Sequence, residues 1–164
     1  MLAGGLILWA TIYCRLFYIQ KITSISFNSF LSIIHYNTKL MQFRNFKMVD
    51  YVVYGRGSFN QLDEILAPQR KGDAPMIFLV DHFFEGKPLA NRVPLRGKDK
   101  IVFVDVTYEP KTTQVDALAK QLKDEFGTVS GIIGIGGGSA MDLAKAVSLM
   151  MTNTGSSADY QGWD

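Results

Sequence analysis

Cysteine occurs once in the 164 residues, as Cys14, and histidine twice, as His35 and His82. A single thiol excludes an intramolecular disulfide and a cysteine-based zinc cluster, and it fits a reducing, cytoplasmic setting. His82 has no partner at HxxxH or HxE spacing, which removes it as half of a sequence-local metal site. Acidic residues are missing from positions 1–40, which carry Arg15, Lys21 and Lys39. Taking those three from the 17 basic residues leaves 14 against 15 acids in 41–164. That near-neutral body has no electrostatic footprint of a nucleic-acid binder.

Long apolar runs are also scarce. The longest, Leu2 to Cys14, ends at Arg15 and is too short to cross a bilayer as a helix. Joined across Arg15 to Leu16–Ile19 it would make only a poor anchor, because an internal arginine is costly in lipid. No basic segment precedes the run and no small-x-small site follows it, so it does not read as a secretory signal. Residues 22–40 hold neither helical nor alternating periodicity for long. Residues 1–40 therefore read as an extension outside the domain, from an upstream start codon with Met41 or Met48 as the functional start. The weak membrane anchor stays as the alternative.

The remainder alternates between strand and helix signals. Val49–Tyr54 is a β-prone run ended by Gly-Arg-Gly at 55–57. Ser58 then stands at the cap position of a short helix with Phe59, Leu62, Ile65 and Leu66 on one face. MIFLV at 76–80 is the continuous apolar run of a strand buried on both faces, with Asp81 at its carboxyl end. Glu85–Lys100, with Lys87, Arg92, Arg96, Lys98 and Lys100, reads as a solvated connection rather than a phosphate site. Ile101–Val106 is a second buried strand. Thr113 and Asp116 have capping-box spacing ahead of a helix whose Val115, Leu118, Ala119, Leu122 and Phe126 share a face. Asp116 and Lys120 are spaced to pair on its polar side, and Gly127 ends it. Ile132–Ile135 and a helix from Ser139 to about Met151 complete an α/β pattern, a Rossmann-like parallel sheet with helices on both faces.

The stretch GIIGIGGGSAMDLAK at 131–145 places three glycines between the last strand and the last helix. Glycines there let a ligand approach the backbone, and the helix start offers unpaired N–H groups and the positive end of its dipole to a phosphate. A serine stands where GxGxxG needs its last glycine, and no Walker lysine follows. Two readings stay open: Gly137, Gly138 and Ser139 holding a pyrophosphate, or a tight structural turn. Asp81 has a similar pair of roles. It can accept from both hydroxyls of an adenine ribose while repelling a 2′-phosphate, which favours NAD over NADP, or it can cap a turn. Asp142 and Lys145 either pair with each other or, on so apolar a helix, face a cleft.

GGGSAMDLAK at 136–145 resembles the GGGSxxDxAK signature of the iron-containing (group III) alcohol dehydrogenases. YGRG at 54–57 resembles that family's first turn, Val80-Asp81 its ribose position, and EPKT at 109–112 its Pro-Asn-Pro-Thr with two substitutions. The resemblance implies a nucleotide-binding domain over 41–164, with Asp81, Gly137, Gly138, Ser139 and Asp142 as cofactor-binding residues. It also implies a divalent metal, iron or zinc, held by one aspartate and three histidines of a helical second domain. His35 and His82 match none of those ligands, so the chain is expected to be the amino-terminal part of an enzyme, with no catalytic or metal residue of its own and no turnover alone.

Met41–Lys47 and Asp159–Asp164 are similar to a sugar-oxidising subgroup that acts on an eight-carbon acidic sugar in lipopolysaccharide synthesis, where dioxygen is an alternative acceptor to NAD. The expected partner is a small-molecule sugar or alcohol, and a homodimer is left open. Dehydroquinate synthases and glycerol dehydrogenases resemble the domain but usually lack the SxxDxAK run at 139–145. A non-catalytic nucleotide-binding module is the remaining alternative.

Overall fold

The structure is a computed structural model in which residues 52–161 are described. The apolar extension 1–40, with Cys14, Arg15 and His35, lies outside those residues, as do Met41–Lys47 and Trp163. Among the described residues no helix is long and apolar enough to cross a membrane.

Three parallel strands form one sheet in the order β2-β1-β3. They are β1 (Met76–Asp81), β2 (Lys100–Val104) and β3 (Gly131–Ile135). The central strand β1 is buried from Met76 to Val80, as its unbroken apolar run requires of a parallel strand covered on both faces. Alternate side chains then serve opposite layers. Ile77 and Leu79 pack with helices α2 (Thr112–Phe126) and α3 (Gly138–Thr152), through Val115, Ala119, Leu122, Leu143 and Val147. Met76, Phe78 and Val80 pack with Phe59, Leu62 and Leu66 of the short helix α1 (Leu62–Leu66) and its preceding 3-10 turn. The α/β fold with helices on both faces of a parallel sheet is thus the observed one.

Gly134 sets how closely α3 lies on β3. A Cβ there would stand 2.8 Å from the Ala144 Cβ and 3.1 Å from the Ala140 carbonyl oxygen. With no side chain at 134, the helix settles directly on the strand.

The amino end of the sheet is pinned by two polar side chains. Asp99, whose side chain is 2% exposed, accepts from Arg70 Nη1 at 2.6 Å and from the Met76 and Arg96 N–H groups at 2.8 and 2.9 Å. Ser130 accepts from the Lys71 N–H and donates to the Ala74 carbonyl, which aligns the start of β3 with the loop before β1.

Several local expectations are not met. Val52–Tyr54 is not in a strand, and Val52 and Tyr54 are exposed; the start of that expected strand lies outside the described residues. Gly57, at φ 87°, takes the cap position expected of Ser58. β2 stops at Val104, because Asp105 turns the chain by accepting from the Thr107 N–H and hydroxyl. Thr113 caps nothing, since α2 begins at Thr112 with Lys111 preceding it.

Asp116 bonds neither Thr113 nor Lys120. It accepts from the Ser156 hydroxyl at 2.6 Å and the Ser157 N–H at 2.7 Å, holding the turn Ser157–Tyr160 against α2, while Lys120 pairs with Asp124. The connection Glu85–Lys100 is less solvated than its charge suggests. Ala90 and Val93 are buried, and Arg92 and Arg96 bond Asn60 and Asp63 beside α1.

Candidate cofactor site

Because all three strands are parallel, their carboxyl ends share one edge of the sheet. The chain leaves β1 toward β2, then returns past β1 to β3, so the direction of travel reverses between β1 and β3. A crevice opens outside the strand ends at such a reversal, and it is the usual ligand position in open α/β sheets. Here Asp81 at the end of β1 and Gly136 after β3 stand at that position.

The three consecutive glycines have different jobs. Gly136 is buried, and a Cβ on it would stand 2.7 Å from the Ala140 Cβ and 2.9 Å from the Asp81 Cβ. Close approach excludes any side chain there. Gly137 and Gly138 are exposed, and a Cβ on either would meet nothing within 4 Å. Gly137 has φ −79° and ψ −169°, open to any residue, so neither packing nor backbone conformation demands glycine at this position. Their missing side chains leave the start of α3 bare.

No side chain caps α3, and its ladder opens with the Met141 N–H donating to the Gly137 carbonyl at 3.1 Å. The N–H groups of Gly138, Ser139 and Ala140 are then donors without helical partners, at the positive end of the helix dipole. Ser139 is the second residue of the helix and half-buried. The arrangement suits an anionic oxygen.

Asp81 has both of its expected roles available, one to each oxygen. Oδ1 accepts from the Phe83 N–H at 2.9 Å and caps the 3-10 turn His82–Phe84. Oδ2 lies on the Gly136 side, 3.5 Å from where a Cβ on that glycine would be. It has no hydrogen-bond donor among the described residues.

Asp142 lies on α3 one turn beyond Ser139, with its side chain 66% exposed, and accepts from Lys145 Nζ at 2.9 Å. The pairing reading is therefore the one its geometry displays. The structure brings Asp81, Gly137, Gly138 and Ser139 to one edge and leaves Asp142 on the adjoining helix surface.

Two further side chains reach this edge: His82, next to Asp81 in the sequence, and Asp105, which sequence reasoning did not place there. His82 Nδ1 lies 3.3 Å from the Val104 carbonyl oxygen, 3.4 Å from Asp81 Oδ1 and 3.8 Å from Asp105 Oδ1. Asp105 follows β2 as Asp81 ends β1, an acid after an apolar run, and that parallel was its signal in the sequence. The Thr107 hydroxyl, then its N–H, hold the Asp105 carboxyl below the usual carboxylate range, with a smaller contribution from His82. Among the described residues no group of three or more His, Cys, Asp or Glu side chains is placed to hold a metal ion. These residues do not fit the expected metal.

The iron-containing alcohol dehydrogenase family matches residues 50–164, and the chain belongs to it. The chain is 29% identical over 118 residues to the probable alcohol dehydrogenase EutG of Salmonella typhimurium, covering 70% of this chain and 29% of the relative. It is 30% identical over 122 residues to the NAD-dependent methanol dehydrogenase of Bacillus methanolicus, covering 72% of this chain and 31% of the relative. The chain thus spans under a third of the length of these relatives. Among solved structures it is similar to sulfoacetaldehyde reductase from Bifidobacterium kashiwanohense in complex with NAD+. That match has a TM-score of 0.53 and 29% identity, over 66% of this chain and 28% of the other.

Proposed function

We propose that this chain carries the nucleotide-binding part of an NAD-dependent alcohol dehydrogenase or aldehyde reductase. The observation that carries the reading is the bare start of α3 beside Asp81, with Gly137 and Gly138 free of any structural need for glycine. The N–H groups of Gly138 and Ser139 would take pyrophosphate oxygens, and Asp81 Oδ2 would accept from the adenine ribose hydroxyls. Asp142 would face the inner cleft and exchange Lys145 for the ligand. Bound NAD supplies hydride acceptance. The NAD+ complex of the similar reductase and the name of the methanol dehydrogenase support this choice of cofactor. The metal of the complete enzyme, iron or zinc, would be held by residues other than those described here.

The test is calorimetric titration of the 164-residue chain with NAD and with NADP, alongside Asp81→Ala. Binding of NAD in preference to NADP, with the preference reduced in the variant, supports the reading. A folded chain that binds neither dinucleotide refutes it.

A narrower substrate reading rests on the likeness of Met41–Lys47 and Asp159–Asp164 to 3-deoxy-D-manno-octulosonate 8-oxidase. It would make the alcohol the C8 hydroxyl of that sugar acid, place the reaction in cytoplasmic lipopolysaccharide synthesis and admit dioxygen as acceptor. None of the relatives named above carries that activity in its name. Thermal stabilisation of the NAD-loaded chain by the sugar acid, and not by methanol, would favour this reading; the reverse would favour a small simple alcohol.

A further inference from the structure

His82 and Asp105 stand beyond Asp81 on the side away from the glycine loop, because β2 flanks β1 opposite β3. All the groups recorded around His82 Nδ1 are acceptors: the Val104 carbonyl and the Asp81 and Asp105 carboxylates. Nδ1 therefore carries a proton and donates it toward them. Asp105 is fixed in the same way, since its Oδ1 is engaged by the Thr107 N–H and hydroxyl at 3.0 and 2.7 Å. Its Oδ2 has no donor among the described residues, and the side chain is 76% exposed. At the far end of the edge Asp105 Oδ2 thus offers a free acceptor.

A ligand that fits must bring donors. A dinucleotide laid from the α3 start across Asp81 places its ribose at Asp81 and its base next along, at the carboxyl end of β2. We propose that Asp105, with His82 beside it, is the base-reading end of the site and accepts a hydrogen bond from the exocyclic amine of a 6-aminopurine. The inference rests on the dinucleotide reading above and goes beyond it by assigning base selectivity to β2. A 6-oxopurine would turn carbonyl lone pairs toward an ionised, acceptor-only carboxylate, and that mismatch is the source of discrimination.

The experiment compares NAD with nicotinamide hypoxanthine dinucleotide, by calorimetry, on the 164-residue chain and on Asp105→Asn and Asp105→Ala. The unaltered chain is expected to prefer NAD by about tenfold or more, the scale of a hydrogen bond to a charged group. In Asp105→Asn, whose amide keeps an acceptor for Thr107 but can turn its NH2 to a carbonyl, the preference should fall to about threefold or less. Asp105→Ala should bring it toward equality. The ratio is internal to each variant, so a general loss of stability lowers both affinities without moving it. Equal binding of the two dinucleotides by the unaltered chain, or a preference unchanged in both variants, overturns the proposal and leaves the NAD reading standing. Failure of a folded chain to bind either one overturns both.

Discussion

Gly136 and Asp81 are in contact at the carboxyl ends of β1 and β3: a methyl group on the glycine would stand 2.9 Å from the Asp81 Cβ. The backbone after β3 and the carboxylate ending β1 are therefore positioned by one another. The same substitution would press on the Ala140 Cβ at 2.7 Å. Gly136→Ala is expected to destabilise the chain by about 1–3 kcal/mol, the usual range for forcing a methyl into a packed site, and to weaken NAD binding as well. Urea denaturation with a parallel titration measures both.

Gly137→Ala should separate those two effects. Its methyl meets open space and its backbone angles suit alanine, so the expected change is neutral or a stabilisation of up to about 1 kcal/mol from the less flexible unfolded chain. Dinucleotide affinity should nevertheless fall, because the methyl occupies the space through which a phosphate reaches the N–H groups. Unimpaired binding in a stabilised variant would show that this glycine serves no ligand.

Asp99→Ala removes the acceptor for Arg70 and for two backbone N–H groups at a site where the carboxylate is almost wholly buried. Leaving a partly buried guanidinium unpaired is expected to cost about 3 kcal/mol, visible as a lower denaturation midpoint. Asp99→Asn, which retains acceptors for Met76 and Arg96, should cost less.

Asp116 gives the chain a local acid dependence. The Ser156 hydroxyl first, then the Ser157 N–H and hydroxyl, hold its carboxyl below the ordinary value of 3.8. A carboxyl lowered in the folded state binds fewer protons than in the unfolded state. Its contribution is therefore complete above 3.8 and is lost as pH falls through the lower, folded-state value. Exchange of the Ser157 amide should accelerate across that interval, and Asp116→Asn should remove the pH dependence. Exchange that is equally pH-dependent in the variant would assign the effect to another group.

Much of this architecture was legible in the sequence because it depends on burial. MIFLV became the central strand, and the spacing from Val115 to Leu122 became the inner face of α2, since apolar periodicity records which side loses water. Some of the expectations that failed concern polar groups whose partners are distant in sequence. Asp116 looked like a capping residue until Ser156 and Ser157, some forty positions later, claimed it. The glycines were legible as a turn built either for a phosphate or for tight packing, but only the structure separates Gly136, excluded from bearing a side chain by its neighbours, from Gly137 and Gly138, which have none. Asp105 comes to Asp81 and His82 through strand order, which no local pattern encodes.

The sheet is clamped at its amino end by Asp99 and Ser130, the proposed ligand site lies at its carboxyl end, and the two sets of residues have no member in common. Most substitutions at the ligand end can therefore alter what the domain recognises without loosening the clamp. On the proposed reading, selection on cofactor choice is correspondingly decoupled from selection on folding, except at Gly136, whose missing side chain serves packing, and at Asp81, whose Oδ1 caps the turn after β1.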